Sequence, residues 1–232
     1  MNTMSGPNNK LTCRNNLLRL LIMFVMCVIA TGSFAQTLGI KAGLNLSNML
    51  VKSEYLPHYY EVVDSRMHPG FNAGVTVEFP IKNAFYIDVG LLLSTMGYKI
   101  SQRDWRAPVS LVENRVTTNL IYLDIPFQAK AYLNGGVAKI YVAFGPYIGI
   151  GLGGKEKWYY HYYGNSISSS GNPFSDLGRL DFGLTAGISV VMNSCQIDFS
   201  YGYGLVNISK GNDFILKNRV LGISLSYKFG GN

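Results

Sequence analysis

Thr37-Leu38-Gly39-Ile40-Lys41-Ala42-Gly43-Leu44-Asn45-Leu46-Ser47 alternates apolar residues with small or polar ones. Side chains alternate faces along a strand. Leu38, Ile40, Ala42, Leu44 and Leu46 therefore share one face, and Gly39, Lys41, Gly43 and Asn45 share the other. The second set cannot build an apolar core, so the oily face is expected to meet lipid. That reads as a strand of a transmembrane β-barrel.

The same alternation recurs at 71–80, 85–94, 120–133, 139–152, 179–192, 196–206 and 219–229. Together these predict an all-β, eight-stranded antiparallel up-and-down transmembrane barrel. In the third stretch the apolar phase slips after Ser94, with Met96, Tyr98 and Ile100 as the next apolar set; a bulge near Thr95 would explain it. Short connectors fall at 81–83, 134–136 and 193–194, and long ones at 48–69, 101–118, 153–178 and 207–218. Short periplasmic turns and long outer loops are the habit of such barrels, and an even strand count places both ends of the barrel on the periplasmic side. Pro126 and Pro146 lie inside strands, where each predicts a bulge or a missing ladder bond. Phe79, Phe85 and Phe229 near the turn end, and Phe71, Phe182 and Tyr203 near the loop end, suit two aromatic girdles.

Residues 1–35 read as a secretory signal peptide. Lys10, Arg14 and Arg19 form a basic region, 17–30 is apolar, and Ser33-Phe34-Ala35 fits a small-x-small cleavage site before Gln36. The apolar run is shorter than the roughly 20 residues of a spanning helix. Cleavage leaves 36–232 as the barrel domain, with 17 basic and 13 acidic residues and a charge of about +4. No nucleic-acid stripe is present. Cys13 and Cys27 leave with the signal, so Cys195 alone supports neither a disulfide nor a zinc site. Neither a metal nor a cofactor is expected.

The inward face carries Lys41, Lys130, Arg179 and Lys228 against Glu78, Asp88, Asp124, Asp181 and Asp198. This near-balance predicts ion pairs across the lumen, since charges removed from water need partners. Tyr86, Tyr122, Tyr132, Tyr141 and Tyr147 also point inward, with glycines making room for them. An eight-stranded barrel is only wide enough for side chains to fill. The expectation is a plugged interior rather than an open channel.

The long loop 153–178 holds Trp158-Tyr159-Tyr160-His161-Tyr162-Tyr163. It reads as a strand extension that continues the outer girdle, or as a contact surface formed by Trp158, Tyr159, Tyr160, Tyr162 and Tyr163. Tyr55, His58, Tyr59 and Tyr60 in the first loop are a weaker version. His58, His68 and His161 are assigned to outer loops with no metal or catalytic spacing. No nucleophile motif is present. Gly149-Ile150-Gly151-Leu152-Gly153-Gly154 lacks the order of a phosphate loop. No enzymatic activity is expected.

The stretch 39–47 resembles the opening strand of the PorT-like outer-membrane β-barrel family (porin-family proteins). Tyr122-Leu123-Asp124-Ile125-Pro126 is similar to that family's mid-barrel strand. Gly145-Pro146-Tyr147-Ile148-Gly149, Asp181-Phe182-Gly183-Leu184 and Tyr203-Gly204-Leu205-Val206-Asn207-Ile208 are also similar, in the family's order across 36–232. Ile223-Ser224-Leu225-Ser226-Tyr227-Lys228-Phe229 resembles the terminal strand read by barrel-assembly machinery, although Gly230-Gly231-Asn232 follow it. The resemblance implies an eight-stranded barrel in the cell outer membrane of a Gram-negative envelope, with the lipid bilayer and the assembly machinery as partners. It implies no single activity, although PorT itself is implicated in protein secretion. The expected role is structural, or binding of an extracellular ligand or envelope protein through the loops. The alternative is a narrow solute pore or an accessory part of a secretion machine.

Overall fold

A computed structural model of the protein describes residues 36–53, 64–82, 84–103, 112–133, 139–162, 165–211 and 214–229. The expected signal peptide lies outside the described residues, as do Tyr55, His58, Tyr59 and Tyr60. The fold is the unit Thr37–Asn232.

Its strands in chain order are β1 (Thr37–Ser53), β2 (Asp64–Lys82), β3 (Phe85–Arg103), β4 (Val112–Leu133), β5 (Lys139–Tyr162), β6 (Asn165–Gly171), β7 (Leu180–Met192), β8 (Cys195–Gly204) and β9 (Phe214–Phe229). All described pairings are antiparallel. The sheet runs β4-β3-β2-β1-β9-β8-β7-β5, and a β4–β5 ladder closes it into a ring of eight. Strand β6 stands outside the ring as a hairpin on the far end of β5. The tight β7–β8 turn passes through Asn193, which holds a φ of 54°; asparagine tolerates this left-handed region better than most residues.

Several strands run past the bounds that alternation predicts. β5 has 24 residues. At about 3.3 Å per residue and a tilt near 45°, it climbs about 56 Å, against an apolar band of about 25 Å. The long connectors are correspondingly shorter than expected, and much of 153–178 is strand. His68 lies in β2, not in a loop, and the backbone of His161 lies in β5.

The oily face is outside. Leu44, Phe85, Phe127, Phe144, Ile188 and Leu225 are exposed, while alternate positions such as Asn45, Asp88, Asp124, Tyr147, Ser189 and Ser224 are buried. An exposed apolar belt on this scale far exceeds the patches that water-soluble monomers tolerate.

Both prolines break ladder pairing without shifting register. The β3–β4 ladder skips between Val89↔Phe127 and Leu92↔Asp124, at Pro126. The β4–β5 ladder skips between Pro126↔Tyr147 and Ala129↔Phe144, at Pro146. The expected bulge at Thr95 is displaced to the facing strand: four residues of β2 between Met67 and Asn72 oppose three of β3. Thr95 Oγ1 accepts a hydrogen bond from Phe71 N there at 2.8 Å. β3 itself keeps its phase, so Met96 and Tyr98 are buried inside the barrel. The apolar set that looks like a slip is an apolar stretch of the interior.

Candidate functional site

Four layers fill the barrel from the turn end to the loop end. The first is ionic. Lys130 Nζ lies 3.1 Å from Glu78 Oε2 and also pairs with Asp88 Oδ2. Lys228 Nζ meets the same Glu78 Oε2 at 2.8 Å and stands 5.3 Å above the Tyr141 ring. Tyr86 and Tyr132 pack on Tyr141 with ring centroids 5.7 and 5.4 Å away. Two cations and two carboxylates from β2, β3, β4 and β9 thus neutralise one another across the lumen. Such pairs offset their desolvation only when geometry and further contacts are good.

The second layer is a polar network. Lys41 Nζ pairs with Asp198 Oδ2 at 3.2 Å. Asp198 also accepts from Ser189 Oγ at 2.5 Å, from Ser226 Oγ at 2.9 Å and from Gln196 Nε2. Above it, Ser224 Oγ donates to Asn72 Oδ1 and Asn72 Nδ2 donates to Asn45 Oδ1. Lys41, Asn45, Asn72, Ser189, Asp198 and Ser224 border a chamber of about 110 Å³ that reaches on to Asp124, Tyr147 and Met96. A cavity of about 10–15 Å³ suffices for one water molecule, so the chamber has room for several. The interior is therefore not wholly side-chain-filled.

The third layer holds Asp124 and Asp181. Asp181 Oδ2 accepts from Tyr147 OH at 3.0 Å and from Asn218 Nδ2 at 2.9 Å. Bare glycine backbone makes this possible: a Cβ on Gly183 would come within 2.5 Å of Tyr147 Cε1.

The fourth layer is an apolar cap, and no pattern of alternation announces it. Asn172-Pro173-Phe174 opens a 3-10 turn, Pro173–Ser175, with Asn172 Oδ1 accepting from Phe174 N at 3.1 Å. The turn carries Phe174 and Leu177 inward against Met96, Leu120 and Tyr122. The Phe174 and Tyr122 rings meet edge to face at 6.0 Å. Ile208 joins Met49 and Tyr98 beside it. Backbone bonds tie the first loop segment to the second, Gly178 N to Ile208 O at 2.7 Å, and the second to β9, Ile208 N to Leu216 O at 2.9 Å. Asn207 Oδ1 accepts from Ser209 N and Leu216 N. The local signal was legible: an Asn cap followed by proline starts a helical turn.

Arg179 departs from its expected place among the inward charges. It is exposed, and its guanidinium donates from Nη1 to Gly151 O at 2.8 Å and to Leu152 O at 3.3 Å. Leu152 is an extra residue of β5, since Ile121 pairs with Gly153 and Tyr122 with Gly151. Arg179 thus satisfies carbonyls freed at that bulge, and it stacks 4.8 Å over the Phe174 ring.

Of the candidate loop surface, Trp158 and Tyr159 are placed on the β5 extension. Trp158 is half-buried and donates from Nε1 to Glu156 Oε2 at 3.0 Å. Tyr159 is exposed and hydrogen-bonds Ser166 Oγ through its hydroxyl at 2.9 Å. Ile167 on β6 is 66% exposed. Tyr163 and the side chains of Tyr160 and Tyr162 lie outside the described residues. His68 Nε2 is engaged by Asn119 Oδ1. Among the described residues no group of three or more His, Cys, Asp or Glu is arranged to hold a metal.

The family model described as outer membrane protein beta-barrel domain matches residues 34–210. Among solved structures, the chain is similar to Ail, the attachment invasion locus protein of Yersinia pestis, with 18% identity, 84% of this chain and 99% of that one covered, and a TM-score of 0.39. OprG of Pseudomonas aeruginosa gives 11%, 86%, 99% and 0.40. The outer membrane protease OmpT of Escherichia coli gives 11%, 84%, 96% and 0.39. A search of curated proteins finds no match.

Proposed function

Since the chain belongs to the outer membrane protein beta-barrel domain family, and so is an integral barrel of the outer membrane, we propose that it is closed to free diffusion and acts from its outer loops. The observation that carries this reading is the pair of seals. The Lys130–Glu78–Lys228 cluster and its tyrosines block one end, and Phe174, Leu177 and Ile208 block the other. The β5–β6 hairpin, bearing Tyr159 and Ile167, is the proposed contact surface for an extracellular ligand or envelope protein. It projects past the apolar band and offers an aromatic ring and a bare aliphatic side chain. Its role is non-enzymatic in this reading, and the motifs quoted above favour a PorT-like member with a cleaved leader at 1–35.

Planar-bilayer recording of the purified protein tests the closure. The expected record is silent, and large stable conductance steps overturn it. Capture from intact envelopes on the purified barrel, with and without the β5–β6 tip, tests the contact surface.

A second reading, a narrow solute pore, draws on the chamber of about 110 Å³. It requires the Phe174 cap to leave the barrel mouth in the unmodified protein, and small conductance steps there without any substitution are its signature. An accessory role in a secretion machine would show instead as co-purification with other envelope proteins.

A further inference from the structure

Past the apolar belt, β2, β3, β4 and β5 continue over 64–68, 97–103, 112–119 and 154–162. Those four strand ends carry six Lys and Arg against three acids, Asp64, Glu113 and Glu156. Register sorts them by face. Tyr98, Thr118 and Glu156 stand side by side on β3, β4 and β5. They turn inward: Tyr98 is 6% exposed, Thr118 is fully buried, and Thr118 Oγ1 donates to Glu156 Oε1 at 2.8 Å. The positions on either side therefore turn outward. One outward row reads Arg66, Lys99, Thr117, Lys157 across the four strands. Lys155 faces Asn119 in the row below it, and Arg115 faces Tyr159 in the row above. Arg66, Arg115, Lys155 and Lys157 are exposed, and Lys99 is half-buried. Among the described residues no ion pair engages Lys99, Lys155 or Lys157. Like charges directly opposite one another, as Arg66 and Lys99 are, weaken a sheet. An anion held between them offsets that repulsion.

Depth indicates what that anion is. Ile121 is the last apolar residue on the lipid face of β4. Each row lies two residues farther on, so the three rows stand about 5, 9 and 14 Å above Ile121 at a tilt near 45°. A headgroup layer is about 5–8 Å thick, and the two lower rows fall within reach of it. Long cationic side chains lay their stems along apolar surface and carry the charge to the polar layer. The rows also face sideways, over the exposed Phe71, Leu93 and Ile121, rather than up from the loop tips. A lipid whose chains lie on those residues presents its headgroup to this wall, whereas a soluble partner meets the loops first.

We propose that the outer wall of β2–β5 binds the phosphate groups of outer-leaflet lipid headgroups, with Lys99, Lys155 and Lys157 as its contacts and Arg66 and Arg115 flanking them. Clusters of Lys and Arg at a membrane surface recognise anionic headgroups in this way. The site lies below the tip of the β5–β6 hairpin, and lipid held there fixes the height at which the hairpin stands.

The test uses the purified barrel in neutral detergent. The probe is a glucosamine-disaccharide lipid carrying two phosphates, compared with the same lipid after the phosphates are removed. Lipid retained per barrel is counted by native mass spectrometry. The unmodified protein should retain the phosphorylated lipid in preference to the other. Each surface cation contributes about fivefold in affinity, so K99Q/K155Q/K157Q should lose about tenfold or more. K82Q/K139Q, which removes exposed charge at the turn end, should retain lipid as the unmodified protein does. Equal retention of the two lipids, or undiminished retention by a triple variant that still migrates as a folded barrel, overturns the site. Binding of soluble polyphosphate to the same lysines without phosphate-dependent lipid retention assigns the wall to a soluble polyanion and also overturns it. Should the triple variant not fold, acetylation of the unmodified protein decides. Phosphorylated lipid should protect Lys99, Lys155 and Lys157 about fivefold relative to the dephosphorylated lipid, and equal labelling overturns the proposal.

Discussion

Lys210 Nζ donates to Phe174 O at 2.7 Å and to Ser175 O at 3.0 Å, so the loop after β8 clamps the turn that caps the barrel. The clamp reaches across 36 residues of sequence. It also has a direct consequence for conductance.

Lys210→Ala removes both bonds without touching the strands. The cap should then open more often, and brief conductance events should appear in bilayer recordings where the unmodified protein is silent. Phe174→Ala should give longer events, because it removes the ring itself. Silence in both variants would show that the ionic layer alone seals the lumen.

Gly151 lies under Phe174, and a Cβ there would come within 2.5 Å of Phe174 Cε1. Gly151→Val should therefore displace the cap by overpacking, at a cost of about 1–3 kcal/mol. A limited-proteolysis cut between 172 and 178, absent in the unmodified barrel, would report it.

Lys130 is 4% exposed and serves two carboxylates. Lys130→Met leaves Glu78 to Lys228 and Asp88 to none of the described cations. It should destabilise the barrel by about 3–5 kcal/mol, the usual result of stranding a buried charge. The band shift between boiled and unboiled samples should then collapse at a lower temperature. Lys130→Met with Asp88→Leu should recover much of the loss, since the stranded carboxylate is gone.

Phe127 is 51% exposed on the lipid face of β4. Phe127→Arg should cost about 2–4 kcal/mol if the site lies near the bilayer midplane. Ile167→Ser on the β6 hairpin should stay within about 0.5 kcal/mol of the unmodified protein. Denaturant titration in lipid vesicles compares the two. Equal effects would contradict the placement of lipid around β4.

Ile167→Ser with Tyr159→Ser should leave heat-modifiable migration intact while lowering capture of any envelope partner. Unchanged capture would move the contact surface elsewhere.

Alternation was enough to read the ring, because one oily face per strand leaves only closure around a polar interior. It placed Leu38, Phe127 and Leu225 outside and Lys41, Asp88, Lys130 and Asp198 inside. It was less informative where strands outrun the membrane. There the outer face need not be apolar, so the β5 extension with Trp158 and Tyr159 was as readable as loop. It misassigned Met96 and Tyr98 to a phase slip, since the cap that covers them comes from residues far along the chain. It also counted Arg179 as a lumen charge, because a bulge at Leu152 cannot be foreseen from β5 alone.

The sequence by itself determined the architecture of the ring: its eight strands, their outward face and their inward composition all follow from a period of two. Only the tertiary structure decided which inward charges meet. Glu78 and Lys228 stand 150 residues apart yet lie 2.8 Å from one another. Register across a closed ladder, not local spacing, sets such pairs. The same holds for Asp124 and Asp181: both are legible as inward carboxylates, but only the folded barrel shows that none of the described lysines pairs with either.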